Sequence, residues 1–517
     1  MKTMFRKVVL SATLAFIGAS LMAQNVYDAL RYSEQYSEGT ARSVAMGNAF
    51  VALGGDMGAF SINPASSAVY RYSEIVFTPS ITVSSNTSDY LGSSQSASKV
   101  RPGISNVGFV TSVDTGREHT GLNSWSAGVV FNKQSNYTYG QKVHGKTDQT
   151  SWLSSLAYNT DGINGSSMDM GGKYDPFFYS AAGWNSILAW NNSLLDTLPG
   201  TNDAYIAATE NLNGNDISVG GMLKQNYKCY SVGNVTEAVL NWAGNFSNKL
   251  YVGVNMGIQS VLYEYEELYS EEAQNSNYFN SGFRHFSQGY RYHATGTGVN
   301  FKVGAIYVPV HWARFGASIS TPTWMFIDEE WENGMNSEFD DGYRQNLVSP
   351  LGTYNYQLNT PFRWNIGAAF VLGDKGVLSA DYESVDYSRA TLEDVDYEFG
   401  YEDENSYISQ VLGKQNIIRV GAELNATGAC ALRAGWQYYS SPYKDGFSSD
   451  ATQLLSLGAG YIFPFEYSDF FIDIAYQQRL GKTEEKFSLY GDTNIAAPVG
   501  TSRNSTWKLL LSVGIRF

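Results

Sequence analysis

The stretch Leu250-Tyr251-Val252-Gly253-Val254-Asn255-Met256-Gly257-Ile258-Gln259 decides the fold class. Its even positions are apolar, and its odd positions are Tyr, Gly, Asn, Gly and Gln. A period of two places alternate side chains on opposite faces of a β-strand. The C-terminus repeats the pattern: Trp507, Leu509, Leu511, Val513, Ile515 and Phe517 alternate with Lys508, Leu510, Ser512, Gly514 and Arg516. One face is greasy and the other is polar or small.

The same reading places strands near 74–84, 104–113, 123–133, 231–243, 250–263, 290–308, 314–325, 360–371, 377–387, 415–424, 430–440, 452–463, 470–480 and 505–517. Most exceed the usual soluble strand and reach the ~9–11 residues that a tilted strand needs to cross a bilayer. Every second connection is short, as in Asp114 to Leu122, Gly244 to Lys249, Pro309 to Ala313, Leu372 to Gly376, Asn425 to Ala429 and Pro464 to Asp469. The others run long. An even number of long strands with short turns on one side and long loops on the other predicts a transmembrane barrel, closed because lipid tolerates no unpaired edge. Tyr461, Phe463, Phe470 and Tyr476 fall near strand ends, where aromatic girdles belong. The expected fold is all-β: a fourteen-stranded antiparallel transmembrane β-barrel.

Composition agrees. Aromatics make up 15% of the 517 residues and charged residues only 16%, and there are 51 Gly. The net charge of −15 offers no basic face overall, so nucleic acid is not an expected partner. Lys2, Arg6 and Lys7 precede the apolar run Val8 to Met22, and Ala23-Gln24 is the expected cleavage point, so 1–23 reads as a secretory signal. Cys229 and Cys430 fall at opposite ends of their strands, too far apart for a bridge, so both are expected free.

Residues 24–73 precede the first strand and are rich in small residues around Ala41-Arg42, Ala45-Met46-Gly47, Asp56 and Asn63-Pro64-Ala65. This stretch resembles the N-terminal hatch of the FadL/TodX family of outer-membrane hydrocarbon and long-chain fatty-acid transporters. The hatch motif rests on Asp56, Asn63, Pro64 and Ala65. The resemblance continues through Thr321-Pro322-Thr323, Thr360-Pro361, Leu432-Arg433-Ala434-Gly435 and Ser441-Pro442, over nearly the whole mature chain. It implies a hatch (24–73) plugging a barrel (74–517) in the bacterial outer membrane, contacting its lipid, and passing hydrophobic small molecules through a side opening in the wall. The insert 145–230 is long, and none of the family's ligand contacts transfers onto it.

Lys302, Arg363, Asp381, Glu383, Arg419, Glu423, Arg433, Asp473 and Lys508 share the polar register. Enclosed charges of both signs must be compensated, so they are expected to pair with one another and with the hatch. Lys302, central on the sixth strand, is the best candidate to hold a fatty-acid carboxylate. In the long insert, Asp175-Pro176 reads as a helix start, followed by Phe177, Phe178, Trp184, Ile187 and Leu188. Phe177, Phe178 and Trp184 are candidates for capturing greasy ligands. The alternative is a small core that holds the loop together.

Asp328-Glu329-Glu330, Asp340-Asp341 and Glu402-Asp403-Glu404 match no calcium loop and read as solvated loop surface. His285 and His293 meet no metal spacing, and no cofactor is expected. Gly-x-Ser-x-Gly is absent, so the chain does not read as an enzyme. The function expected is passive uptake of hydrophobic compounds such as long-chain fatty acids. The rival readings are a surface scaffold with protein partners on its extracellular loops and, more weakly, haem uptake.

Overall fold

In the computed structural model, residues 26–117, 120–395, 400–446, 450–480, 485–491 and 495–517 are described. The expected signal segment 1–23 lies outside them. Fourteen antiparallel strands form the wall. They are β1 (Glu74–Tyr90), β2 (Ser93–Asp114), β3 (Leu122–Asn136, resuming at Tyr139–Thr147), β4 (Leu223–Phe246), β5 (Leu250–Ala273), β6 (Phe283–Val310), β7 (Ala313–Ser320, resuming at Trp324–Phe339), β8 (Gly352–Asn359, resuming at Arg363–Val371), β9 (Gly376–Asp386), β10 (Lys414–Asn425), β11 (Cys430–Tyr439), β12 (Thr452–Pro464), β13 (Asp469–Leu480) and β14 (Val499–Arg516). β1 pairs with β14 from Glu74↔Arg516 to Asp89↔Thr501, which closes the cylinder.

Alternation sorts the side chains as the period predicts. Leu250, Val254, Met256 and Ile258 are exposed on the outside, while Tyr251, Gly253, Asn255, Gly257 and Gln259 are buried within. The outer face therefore carries an apolar band. No helix of the described residues is long and apolar enough to cross a membrane.

Three differences from the sequence reading have physical causes. The first connection is not a long loop: β1 and β2 run on together to a two-residue turn at Leu91-Gly92, both with positive φ. Ser85, Ser88, Ser94, Ser96 and Ser98 leave no hydropathy alternation there, because this part of the hairpin needs no greasy face. Asp328-Glu329-Glu330 lies on β7 rather than in a loop, with Glu329 turned inward and accepting a 2.7 Å hydrogen bond from the Tyr356 hydroxyl. Glu402-Asp403-Glu404 forms the first turn of a helix, Glu402–Val411, where carboxylates meet the positive end of the helix dipole.

Candidate functional site: a plugged lumen and a seam in its wall

The segment 34–73 fills the lumen. Asp56 caps a short 3-10 helix by accepting from Gly58 N (2.9 Å), and its carboxylate also receives the Thr40 hydroxyl at 2.8 Å. Asn63 caps the next turn through Ala65 N (3.0 Å) and donates its amide to Val51 O (2.7 Å), tying two hatch loops together. Pro64 occupies the first position of that turn, where a missing N–H costs nothing. Wall residues reach in: Asn241 donates to Pro64 O at 2.9 Å, Asn255 to Phe60 O at 2.6 Å and Ser318 to Ile62 O at 2.8 Å.

Close approach is made possible by inward glycines. A Cβ on Gly435 would stand 2.1 Å from the Gly47 nitrogen, and one on Gly316 would stand 2.1 Å from the Val51 oxygen. These positions leave room for hatch backbone and nothing more.

The polar-register charges are compensated, both between strands and with the hatch. Lys302 meets Glu237 at 2.7 and 2.9 Å. Glu383 bridges Arg363 (2.9 Å) and Arg419 (2.7 Å). Glu423 joins Arg433 (2.6 Å) to Arg42 of the hatch (2.9 Å), and Arg433 continues to Asp473 at 2.5 Å. Asp381 accepts from Val51 N at 2.9 Å. Lys508 pairs with Glu38 of the hatch at 2.5 Å. Nothing in the local sequence names Glu38, Arg42 or Glu237 as the partners.

Above the hatch, helix α1 (Val26–Ser33) stands inside the barrel. Its Val26, Ala29, Leu30 and Tyr32 join an interior cluster with Val261, Tyr263, Tyr292, Met325, Ile327, Tyr356, Leu358 and Tyr387. Arg31 lies over the Tyr263 ring, 4.4 Å from its centroid. The interior here is apolar and rich in phenols, with Asp28, Arg31 and Glu329 among them, and the protein's own N-terminal helix fills it.

The wall has a seam. β2 pairs with β3 only from Asn106↔Asn132 to Asp114↔Ser124. Beyond Asn106, β2 pairs with β1 alone, and the resumed part of β3 pairs with β4 alone. The ladder departs at a register shift between Lys133 and Ser135. Hatch backbone enters this gap: Tyr36 N donates to Gln134 O (2.9 Å) and Glu38 N to Lys133 O (2.7 Å). The Glu38 carboxylate then binds Ser105 of β2 (2.6 Å) and Lys133 of β3 (3.3 Å). The hatch therefore stoppers both the lumen and the base of the seam.

The long insert caps the loop-side mouth. Helices α2 (Trp152–Thr160), α3 (Pro176–Tyr179) and α4 (Trp184–Asn191) pack a core with Tyr269, Phe283, Phe286 and Met335 of the wall. Asp175 caps α3 as expected. Phe177 is buried in this core, whereas Phe178 is 66% exposed beside exposed Tyr174 and Tyr179. Trp184 is half-buried, with its ring 5.7 Å from Phe177 and 5.9 Å from Trp331. The insert forms a loop core and also leaves aromatic surface outside it. Glu271 anchors it, accepting from Ser151 Oγ (2.5 Å), Trp152 N (2.9 Å), Gln225 (2.9 Å) and Tyr269 (2.7 Å). Burial pushes the carboxyl of Glu271 up from its ordinary range despite those donors. On the same strand beyond the apolar band, burial pushes Glu267 up to about 7.

A cleft of about 600 Å³ opens between the insert and the ends of β6 and β7, with Asp196, Glu210 and Asp341 in its lining. Its carboxylates repel an anionic ligand. Both cysteines are free. Among the described residues no group of His, Cys, Asp and Glu is arranged to hold a metal.

No family model matches the chain, and no curated protein matches it in sequence. Solved structures do. A Pseudomonas aeruginosa FadL homologue superposes with a TM-score of 0.51 at 12% identity, over 94% of this chain and 99% of that one. The P. putida toluene transporter TodX gives 0.49 at 12% identity over 94% and 99%, and the Ralstonia pickettii toluene transporter TbuX 0.49 at 14% over 93% and 99%. The fold is a closed, internally plugged β-barrel, and the FadL homologue shares it.

Proposed function

We propose that the protein is a channel of the bacterial outer membrane for passive uptake of hydrophobic compounds. One observation carries this reading: a phenol-rich interior filled by α1 adjoins a break in the β2–β3 ladder, with Tyr137 bonding Arg31 O at 2.9 Å between them, and the segment that follows α1 stoppers that break. A water-filled pore for polar solutes has no use for such an interior, nor for a stretch of wall held by side chains such as Asn136 to Thr82 and Gln141 to Ser88 in place of a ladder. A greasy ligand gains by staying out of water along the whole route.

In this reading the exposed aromatics Phe178, Tyr174 and Tyr179 collect ligand, and Phe177 and Trp184 hold their platform. Ligand displaces α1 from the chamber, the 34–38 segment leaves the seam, and ligand exits sideways. Lys302 can meet a fatty-acid carboxylate only by exchanging Glu237 for it. The chamber suits uncharged aromatic or aliphatic compounds without that exchange. No energy-coupling element is needed, because ligand binding itself shifts the plug.

The test is uptake into liposomes holding the full-length protein, with toluene and oleate as probes. Uptake above that of protein-free liposomes, reduced when α1 is joined to β5 by a thiol-reactive linker between Tyr32→Cys and Tyr263→Cys, whose native rings lie 6.4 Å apart, in a C229S/C430S background, is the expected result. Equal entry with and without protein for both probes sinks the proposal.

A further inference from the structure

Above the hatch, one side of the wall turns acids and phenols inward. Residues 225–235 of β4, 261–271 of β5, 286–296 of β6 and 327–337 of β7 lie in register. Their inward positions, all among the described residues, hold Glu267, Glu271 and Glu329 and no lysine, arginine or histidine. The cation that does lie against this face belongs to α1. Arg31 sits over the Tyr263 ring, 4.4 Å from its centroid, and its acid partner Asp28 is on the same helix.

Register shows where that cation rests. Tyr263, Ala294 and Glu329 are successive partners across β5, β6 and β7. Strands ~4.8 Å apart put Tyr263 and Glu329 about 10 Å from each other. Between them Ala294 carries only a methyl group. The result is a recess with an aromatic face on one side and a buried carboxylate, held by the Tyr356 hydroxyl, on the other. The Arg31 side chain keeps 24% of its surface accessible, so the space beside it is not filled.

An aromatic face and a carboxylate both favour a cation, and more strongly away from water. Within α1 the charges of Asp28 and Arg31 cancel, so its departure leaves the charge of the interior unchanged. An anionic end group arriving there would face Glu329 and Glu267. A cationic one takes the place of Arg31. The mouth works in the same direction: its cleft carries Asp196, Glu210 and Asp341, and a chain of net charge −15 draws cations towards it.

We propose that the recess between Tyr263 and Glu329 binds the cationic end of an apolar ligand, an alkyl- or arylalkylammonium, and that Arg31 of α1 occupies its place until it arrives. The apolar part lies along Val261, Met325 and Ile327, which now cluster with Val26 and Leu30 of α1. The assignment rests on the uptake reading, since ligand replaces α1, and adds to it the chemistry of the head group.

The test uses the full-length protein in phosphatidylcholine nanodiscs, with decyltrimethylammonium, decanol and decanoate as probes and protein-free nanodiscs as the blank. Binding is read by calorimetry, and displacement of α1 by amide exchange of 26–33. Decyltrimethylammonium should bind about tenfold more tightly than decanoate, and more tightly than decanol, and should speed that exchange. Tyr263→Leu and Glu329→Gln should each weaken its binding about fivefold or more, and weaken decanol less. Tyr263→Phe, which keeps a ring, should lose less than Tyr263→Leu. Asp28→Asn/Arg31→Gln, which removes the resident cation with its partner, should tighten binding of the cationic probe. The order of the three probes on the wild type needs no variant to fold. Equal binding of decanol and decyltrimethylammonium, or a cation preference that survives in both Tyr263→Leu and Glu329→Gln, overturns the assignment and leaves the uptake reading standing. Binding of none of the three overturns both.

Discussion

The Glu38 carboxylate meets Lys508 Nζ at 2.5 Å, joining the hatch to the last strand of the barrel across nearly the whole chain. The same carboxylate holds Lys133 at 3.3 Å and Ser105 at 2.6 Å, so one hatch residue clasps β14, β2 and β3. At the point where the β2–β3 ladder ends, this clasp ties the two strands, and beyond it side chains such as Asn136 to Thr82 (3.2 Å) and Gln141 to Ser88 (3.0 Å) take over.

Glu38→Gln strands two buried ammonium groups. Breaking a buried pair from one side costs about 3–5 kcal/mol, and here the weakest element will absorb it, namely the 34–50 segment. Amide exchange of 34–50 should speed up and single-channel conductance should rise, with the barrel's melting unchanged. Unaltered exchange and conductance would show that the clasp holds nothing shut.

Gly435→Ala places a methyl 2.1 Å from Gly47 N. Overpacking of this kind costs about 1–3 kcal/mol, and the strand is bonded on both sides, so the hatch must yield. Limited proteolysis should cut the hatch faster in the variant. An unchanged digestion pattern would mean that the wall moves instead.

The seam can be locked. A Cβ on Gly140 lies 3.8 Å from the Lys99 Cβ, within the range of a disulfide. K99C/G140C in a C229S/C430S background should cross-link on oxidation and slow uptake, with recovery on reduction. Full uptake by the cross-linked protein would place the exit elsewhere.

Burial raises Glu267 to about 7, above its ordinary range, while Tyr265 and Tyr227 donate to it at 2.7 and 3.2 Å. A raised carboxyl favours the folded state most below its unfolded value, and that contribution is lost as pH climbs through the folded one. Protection of the capping insert should therefore be greatest near pH 4 and fall by pH 8. Glu267→Gln should flatten the profile; a profile that persists would assign it to another group.

Phe177 and Phe178 are neighbours with opposite fates. Phe177→Ala empties a buried site and should cost the cap about 3–5 kcal/mol. Phe178→Ala should leave melting unchanged and weaken capture of toluene. Retained capture would return Phe178 to mere surface.

Strand number, order and facing were legible in the sequence, because a two-residue period is a local property and lipid inverts which face is greasy. The hatch was expected from its small residues and its likeness to a family motif, whereas the caps that Asp56 and Asn63 make came only with the tertiary structure. Hydropathy could not read the β1–β2 hairpin beyond Ser84, where both faces are polar.

The partners of the enclosed charges came only with the tertiary structure. Lys302 and Glu237 are 65 residues apart, and no local pattern links them. The same holds for the placing of α1 within the barrel and for the seam. Each depends on which strands stay paired along their full length, and pairing is settled by closure of the whole wall rather than by any one strand.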